Sequence, residues 1–573
     1  MFDDRAGKVL VNLLADWDVD HIYGMPGDSI NNLMEELRKA EEKIQFIQVR
    51  HEEAGALAAA SYAKLTGKLG VCLSIAGPGA IHLLNGLYDA KEDSAPVLVL
   101  AGQVPTDHIG VDGFQEVNME RIFDDVAVYN KQVVSEKQLP SMVNQAIRTA
   151  YTERGVAVLT LPDDIPAEKI KNKVQQNAVM YETPMLTPDT AAMQEAAAVI
   201  NKAKKPIILA GTGAKKAKEE LAAFSDRIAA PVVISLPAKG VMEDEHPNFL
   251  GNLGMIGTKP AYEAMEEADL LILLGTSYPY TEFLPEDVTC IQIDSDPLQI
   301  GKRYPVDVGI AGDAKKTLIW LNEQLPHMEK RDFLEKYQEK MADWWEEMKA
   351  DEEHTSTPIK PQQVIHEVQK IAADDAILSV DVGNVTVWAT RHFRMKTTQD
   401  FLTSSWLGTM GCGLPGAIAA KLAFPERQVI SLSGDGGFSM NMQDFLTAVK
   451  YNLPMIIVIF NNERIGMIKY EQEAGGNLDY KTDLESFNFA RFAENCGGKG
   501  YRVEKFEDLK PSLEASASFN QPALIDVCIE DEPPIPGKLS YDQVTSYSKQ
   551  TIKKLFEKGK LELPPIRKGL KRM

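Results

Sequence analysis

The 573-residue sequence has no apolar run near the ~18 residues a membrane-spanning helix requires, which argues against an integral membrane protein. Export is not expected either. The start, Met1-Phe2-Asp3-Asp4-Arg5, has neither a basic block nor an apolar core, so a cytoplasmic location is predicted. Cysteine is sparse and unpaired in sequence. Cys72, Cys290, Cys412, Cys496 and Cys528 form no Cys-x-x-Cys pair, which excludes a zinc ribbon and points to reduced thiols. Positive charge is short as well: 61 Lys and Arg against 83 Asp and Glu leave a net charge of -22, opposed to any phosphate backbone. No nucleic-acid partner is predicted, and no short-period repeat is visible.

What is present is the alternation of short apolar runs, each ending in Gly, Asp or Asn, with helical patterns. That alternation is the mark of parallel α/β layers. Strand-like runs fall at 21–27, 44–50, 70–79, 96–103 and 155–162; at 206–213, 231–240, 270–277 and 290–297; and at 377–383, 428–437, 455–462 and 523–529. The fold class predicted is α/β, with three consecutive doubly wound parallel-sheet domains at 1–175, 190–325 and 355–535. A C-terminal helix and basic tail follow at 536–573. The charged, Trp-containing helical segment around 328–353 and the Thr-Ser-Thr-Pro stretch at 355–358 read as a linker into the third block.

The most informative segment is the strand ending in Ser433-Gly434-Asp435-Gly436-Gly437, followed by a helical pattern and a second strand ending in Asn461-Asn462. In one βαβ unit the two strands are parallel near neighbours, so Asp435 and Asn462 can converge at their carboxyl ends. A carboxylate and an amide oxygen are hard ligands suited to Mg²⁺, and Arg464 is taken with them as the metal group. Gly434 and Gly436 let the backbone come close, and the next helix N-terminus favours an anionic diphosphate. Either piece alone is more often a plain turn or strand cap.

Together, Gly-Asp-Gly, 24 further residues and Asn-Asn resemble the metal and diphosphate motif of thiamine-diphosphate enzymes. That resemblance gives meaning to Arg50-His51-Glu52-Glu53 at the end of another strand, otherwise an N-terminal charge cluster of a helix. In the family the glutamate directly after Arg-His, here Glu52, stands against the pyrimidine ring of the cofactor and shares a proton with its nitrogen. The three blocks then become pyrimidine-binding, central and diphosphate-binding domains. The resemblance further implies a site shared between two chains, hence a homodimer or homotetramer.

Within the family the chain looks most like flavin-containing pyruvate oxidases and quinone-linked pyruvate dehydrogenases. Tyr23-Gly24-Met25-Pro26-Gly27-Asp28, Ala76-Gly-Pro-Gly79, Phe114-Gln115-Glu116 and the Trp406–Gly416 stretch carry that likeness. It implies that Gly24, Pro26 and Gly27 line the cofactor, that Met410 bends it, and that Phe114, Gln115 and Glu471 face the substrate. Gly211, Gly213, Gly275, Asp294 and Asp313 are placed as in members that hold FAD. Met467 departs from the Phe usual in the oxidases and is synthase-like, which weighs against efficient electron transfer to flavin.

The activity implied is oxidative decarboxylation of a small 2-keto acid, pyruvate favoured, with thiamine diphosphate, Mg²⁺ and FAD. Electrons would pass to quinone or oxygen, and acetate or acetyl phosphate would result. Two alternatives stay open: an acetolactate synthase-type carboligase, and a catalytically silent binding protein of the same fold. From Lys549 to Met573 nine basic and two acidic residues, with Ile552, Leu555 and Phe556 at helical spacing, suggest peripheral contact with an anionic membrane. A tail that merely covers the cofactor entrance is the plainer alternative.

Overall fold

The computed structural model describes residues 4–170, 185–353 and 357–534. The predicted tail, from 536 on, lies outside the described residues. Three six-stranded sheets follow one another along the chain, all pairings within them parallel. The first comprises β1 (His21–Gly24), β2 (Gln45–Gln48), β3 (Gly70–Ser74), β4 (Val97–Gln103), β5 (Ala127–Gln132) and β6 (Val156–Pro162), ordered β2-β1-β3-β4-β6-β5. The second comprises β7 (Pro206–Ala210), β8 (Val232–Ile234), β9 (Phe249–Asn252), β10 (Leu270–Leu274), β11 (Thr289–Asp294) and β12 (Val308–Ala311), ordered β9-β8-β7-β10-β11-β12. The third comprises β13 (Ile377–Val380), β14 (Asp400–Leu402), β15 (Val429–Gly434), β16 (Ile456–Asn461), β17 (Lys499–Val503) and β18 (Ala523–Cys528), ordered β14-β13-β15-β16-β18-β17.

The first and third sheets therefore share one strand order, and the second has another. In the second, order reverses between β7 and β10, and such a reversal opens a crevice at the carboxyl edge. Interior strands are continuous apolar runs because helices cover both faces; all seven residues of β4 and of β6 are buried.

The helical segment expected around 328–353 is a 21-residue helix, Asp332–Glu352, but it packs as part of a domain and does not act as a linker. Phe333, Tyr337, Met341, Trp344 and Met348 recur at helical spacing and pack with Leu271 and Leu273 of β10 in one cluster. Its charges occupy the other face, and it belongs to the central domain.

The outer two domains meet through the Glu52–Thr66 helix, which lies against the Gly413–Ala423 helix. Its run Ala54–Ala60 is buried all round, which is why it carries little but alanine and glycine. A Cβ on Gly86 would stand 2.5 Å from the amide nitrogen of Leu57, and one on Gly416 would stand 2.4 Å from Ser379 Oγ. Small residues let these layers approach. The Tyr451 hydroxyl accepts from Gln48 N at 2.7 Å and donates to Phe46 O at 3.0 Å, and Asp444 accepts from Arg50 N at 2.8 Å, pinning β2 and its exit to the C-terminal domain.

Candidate active site

β15 and β16 are paired in register from Ile430 with Ile456 to Gly434 with Phe460, so the residues that follow them emerge side by side. Asp435 opens the Asp435–Asn441 helix, and its Oδ2 accepts the main-chain N–H of Arg464 at 3.3 Å. The structure thus joins the Gly-Asp-Gly turn to the Asn462–Arg464 loop. Asp435 is buried, and burial pushes its carboxyl up to about 6 against the opposing main-chain donors of Gly436, Arg464 and Glu463. No cation among the described residues pairs with it. A buried, uncompensated carboxylate beside a free amide oxygen, that of Asn462, is a donor set that fits a small hard cation. The Arg464 guanidinium pairs with Asp483 and with Asp531, the latter at 3.3 Å, and it has no lone pair to give; only its main-chain carbonyl could serve a metal.

Two residues not singled out in the sequence complete this edge. Asp381 follows β13, and its buried carboxyl accepts from Val382 N at 2.7 Å, Gly411 N at 2.9 Å and Gly413 N at 3.3 Å. A Cβ on Gly437 would stand 2.9 Å from the same carboxyl. Asp381 therefore ties the Met410 loop to the diphosphate turn, and burial raises it to about 6. Asn384 begins the Asn384–His392 helix, and both of its buried amide atoms lack partners. A Cβ on Gly466, at the start of the Gly466–Ala474 helix, would come 2.5 Å from its Nδ2 and 3.4 Å from that of Asn462. The N-termini of three helices thus face one spot, suited to a doubly charged anion. The Asp381-Val-Gly-Asn384 run, a strand ending in an acid and a glycine, was the available signal.

Met410 is brought to the same place: its Cε would lie 3.5 Å from a Cβ on Gly436. Glu471 is exposed on the Gly466–Ala474 helix, with no polar partner among the described residues, and nothing sets it against Glu52.

At the other carboxyl edge, Glu52 is the first residue of its helix, 6% exposed, behind the N-cap His51. His82 Nδ1 lies 2.9 Å from Glu52 Oε2, and a Cβ on Gly79 would be 3.0 Å from Oε1. His51 and His82 stack at 4.4 Å and 28°. His51, Glu52 and His82 lie close enough to suggest a metal, yet stacked imidazoles direct their in-plane lone pairs side by side, not to one point. The cluster reads better as a carboxyl held in place by an imidazole.

Gly24 and Gly27 press onto the end of β3, where Cβ atoms would meet Leu73 O at 2.2 Å and Ile75 Cγ2 at 2.3 Å. Pro26 lies between them with no polar contact. Gly77, at φ +62°, leaves no room between itself and Gln115 O, which places Gln115 beside the Gly77-Pro78-Gly79 turn. Phe114 next to it is 84% exposed.

Comparison with known proteins bears on this arrangement. The C-terminal thiamine pyrophosphate (TPP) binding domain model of thiamine pyrophosphate enzymes matches residues 381–527, the central domain model 193–321, and the N-terminal TPP binding domain model 4–122. Thiamine pyrophosphate is thiamine diphosphate under another name. The Bacillus subtilis (strain 168) protein YdaP, named for thiamine pyrophosphate, is 57% identical over 573 residues, covering 100% of both chains. Pyruvate oxidase of Lactiplantibacillus plantarum is 41% identical over 550 residues, 94% of this chain and 91% of that one. The acetolactate synthase large subunit of Haemophilus influenzae is 32% identical over 548 residues, 92% and 94% of the two chains. The chain belongs to the thiamine pyrophosphate enzyme family.

In this thiamine pyrophosphate enzyme the central domain holds a second candidate site. Gly211 and Gly213 follow β7, and Gly275 follows β10, at the reversal of strand order. A Cβ on Gly211 would meet Gly275 O at 2.3 Å, and one on Gly275, at φ +59°, would meet Gly213 Cα at 2.5 Å. The three glycines predicted from sequence are thus packed on one another, a glycine cradle at the switch point that backbone contact itself enforces. Near it, both amide atoms of buried Asn252 and the hydroxyl of Tyr278 lack partners. These features fit a dinucleotide at the crevice. Asp294 ends β11, its carboxyl raised by burial. Asp313 caps the Ala314–Gln324 helix, accepting from Lys316 N at 2.9 Å, so it is already employed. Among the described residues no helix is long and apolar enough to cross a membrane.

Proposed function

We propose that the chain oxidatively decarboxylates pyruvate with thiamine diphosphate and Mg²⁺, passing the electrons to FAD and then to quinone or oxygen, to give acetate or acetyl phosphate. The observation that carries this reading is the reversal of strand order in the central sheet, with the unpartnered buried polar groups of Asn252 and Tyr278 in the same domain. Gly211, Gly213 and Gly275 let the two strand exits at that point close on one another backbone to backbone. The 41% identity to a pyruvate oxidase over nearly the whole chain supports the same reading.

Bound thiamine diphosphate would supply the carbon nucleophile for the keto group, and bound FAD the electron acceptor. The chain's residues bind and orient. Asp435 and Asn462, with the main-chain carbonyl of Arg464, would hold Mg²⁺ against the diphosphate, which the N-termini at Asn384, Asp435 and Gly466 favour. Met410 would buttress the cofactor's middle, and Gly24, Pro26 and Gly27 its other end. Glu52 would hold a proton against the pyrimidine, kept in place by His82 at 2.9 Å and shielded from water by burial. Phe114, Gln115 and Glu471 would face the substrate. Asp294 and Asp313 would meet the adenosine end of FAD. The exposed apolar side chains Ile81, Phe114 and Met440 support a second copy of the chain over this edge, as a dimer or tetramer. A cytoplasmic enzyme touching a membrane through its tail belongs to the same proposal.

The test is anaerobic addition of pyruvate to the protein loaded with thiamine diphosphate, Mg²⁺ and FAD. Bleaching of the flavin band is the expected result. A band that persists while acetolactate accumulates would make the protein a carboligase and overturn the proposal. Glu52→Gln should then lose ~10²- to 10⁴-fold in kcat with its circular dichroism unchanged, the range typical of a lost acid–base group.

A further inference from the structure

Trp406 lies on the loop that leads to Met410 and carries an arginine of the central domain against its ring. Arg303, in the segment after β11, donates from Nη1 to Ser277 O at 2.6 Å, two residues beyond Gly275. Its guanidinium carbon lies 4.9 Å from the centre of the Trp406 ring. Trp406 in turn stands four residues before Met410, whose methyl reaches the turn at Gly436. The indole thus lies against an arginine tied to the central crevice, on a loop that leads to the diphosphate turn.

The loop that carries it is fixed from both ends. Ser405 Oγ donates to Asp93 Oδ1 at 2.5 Å, and Asp93 is held by Lys64. Thr409 N donates to Ser404 Oγ at 3.1 Å, and Asn85 Nδ2 links Thr409 Oγ1, at 2.8 Å, to Glu53 Oε1, at 2.7 Å. The backbone beneath the indole is thus clamped to the N-terminal domain, and its ring is clamped to the central one. Yet 39% of Trp406 stays exposed, and among the described residues no second ring packs on it. A held indole with a cation at one face and open surface elsewhere is built to receive a flat partner, because offset stacking of aromatic rings is favourable beyond mere area.

We propose that Trp406 is the stacking platform for the ring system of the dinucleotide whose diphosphate lies in the Gly211–Gly213–Gly275 cradle, with Arg303 setting the angle of the indole. This rests on the flavin reading of the central domain. Trp406 contacts the cofactor ring; Arg303 is a positioning residue that acts through it.

The experiment uses the full chain freed of FAD, without thiamine diphosphate or pyruvate, and titrates FAD and separately ADP. Wild type should bind FAD with its emission strongly quenched by the neighbouring indole. Trp406→Leu should bind FAD about tenfold more weakly, with brighter bound flavin and unchanged ADP affinity, since ADP lacks the ring. Trp406→Phe should restore affinity but not quenching, and Arg303→Met should fall between. Equal FAD affinity and equal quenching in wild type and Trp406→Leu would overturn the platform while leaving the flavin reading intact. A parallel loss of ADP affinity would also overturn it, by showing a disturbed cradle. No FAD uptake by wild type would sink the flavin reading and this proposal together, a result distinct from the other two.

Discussion

Asp444 offers a sharp test of how the two outer domains hold Glu52 in place. Its carboxyl accepts the Arg50 N–H at 2.8 Å and the Thr447 hydroxyl at 2.8 Å, while Oδ2 is buried without a partner. Arg50 directly precedes His51 and Glu52. Burial pushes the Asp444 carboxyl up from 3.8 to about 6, although the Arg50 N–H and the Thr447 hydroxyl work against the rise. At ~1.4 kcal/mol per pH unit, charging it costs the folded state ~3 kcal/mol. The folded value lies above the unfolded one, so the stabilisation is full below 3.8 and is lost as pH rises through about 6. Asn in its place keeps an oxygen for both donors, and its NH₂, like the neutral acid's OH, has no partner. Asp444→Asn therefore mimics the protonated form at every pH. Relative to wild type it should gain ~2.5 kcal/mol between pH 4 and pH 8, whatever constant offset the amide introduces. Urea unfolding of both proteins in EDTA, comparing the same transition across pH, measures that gain. Curves that stay parallel within about 0.5 kcal/mol would refute the account, given how well such differences are resolved. Because Arg50 stays held, pyruvate turnover should remain within about threefold of wild type.

Asn384→Leu should leave the cofactor-free protein as stable or stabler, since it removes a buried unpaired amide worth ~1–3 kcal/mol, yet weaken thiamine diphosphate binding at least tenfold by calorimetry. Unchanged affinity would remove Asn384 from the site. Lys64 bridges buried Asp89 at 2.6 Å and Asp93 at 2.5 Å, which hold its ammonium proton more tightly than usual in spite of burial. Lys64→Met should destabilise by ~3–5 kcal/mol, with partial recovery on adding Asp89→Asn; a loss under 1 kcal/mol would show the cluster to be solvated.

Thirteen of the eighteen strands of the three six-stranded sheets were legible in the sequence, and the other five, β5, β9, β12, β14 and β17, all lie at sheet edges. The physical reason is burial. An edge strand has one neighbour and an exposed flank, so it needs no continuous apolar run; β5 reads Ala-Val-Tyr-Asn-Lys-Gln and β17 Lys-Gly-Tyr-Arg-Val, while the interior β4 reads Val-Leu-Val-Leu-Ala-Gly-Gln. The segment 328–353 was legible as a helix but not as part of the central domain: its charges masked an apolar stripe at 333, 337, 341, 344 and 348 that packs on β10.

The candidate site divides along the same line. Residues that must be glycine because two backbones touch, such as Gly211, Gly213 and Gly275, announce themselves in sequence, since no other side chain fits and each stands at a strand end. Residues brought together only by the tertiary fold do not. His82 lies 30 positions from Glu52, and Asp381 lies 30 from Gly411, separations that carry no periodic signal. Trp406 and Arg303, 103 positions apart, meet across two domains. Motifs in this family mark where the backbone must come close to a phosphate. The side chains that aim and shield the reacting groups emerge only once the three sheets are packed, and they are where specificity within the family has room to vary.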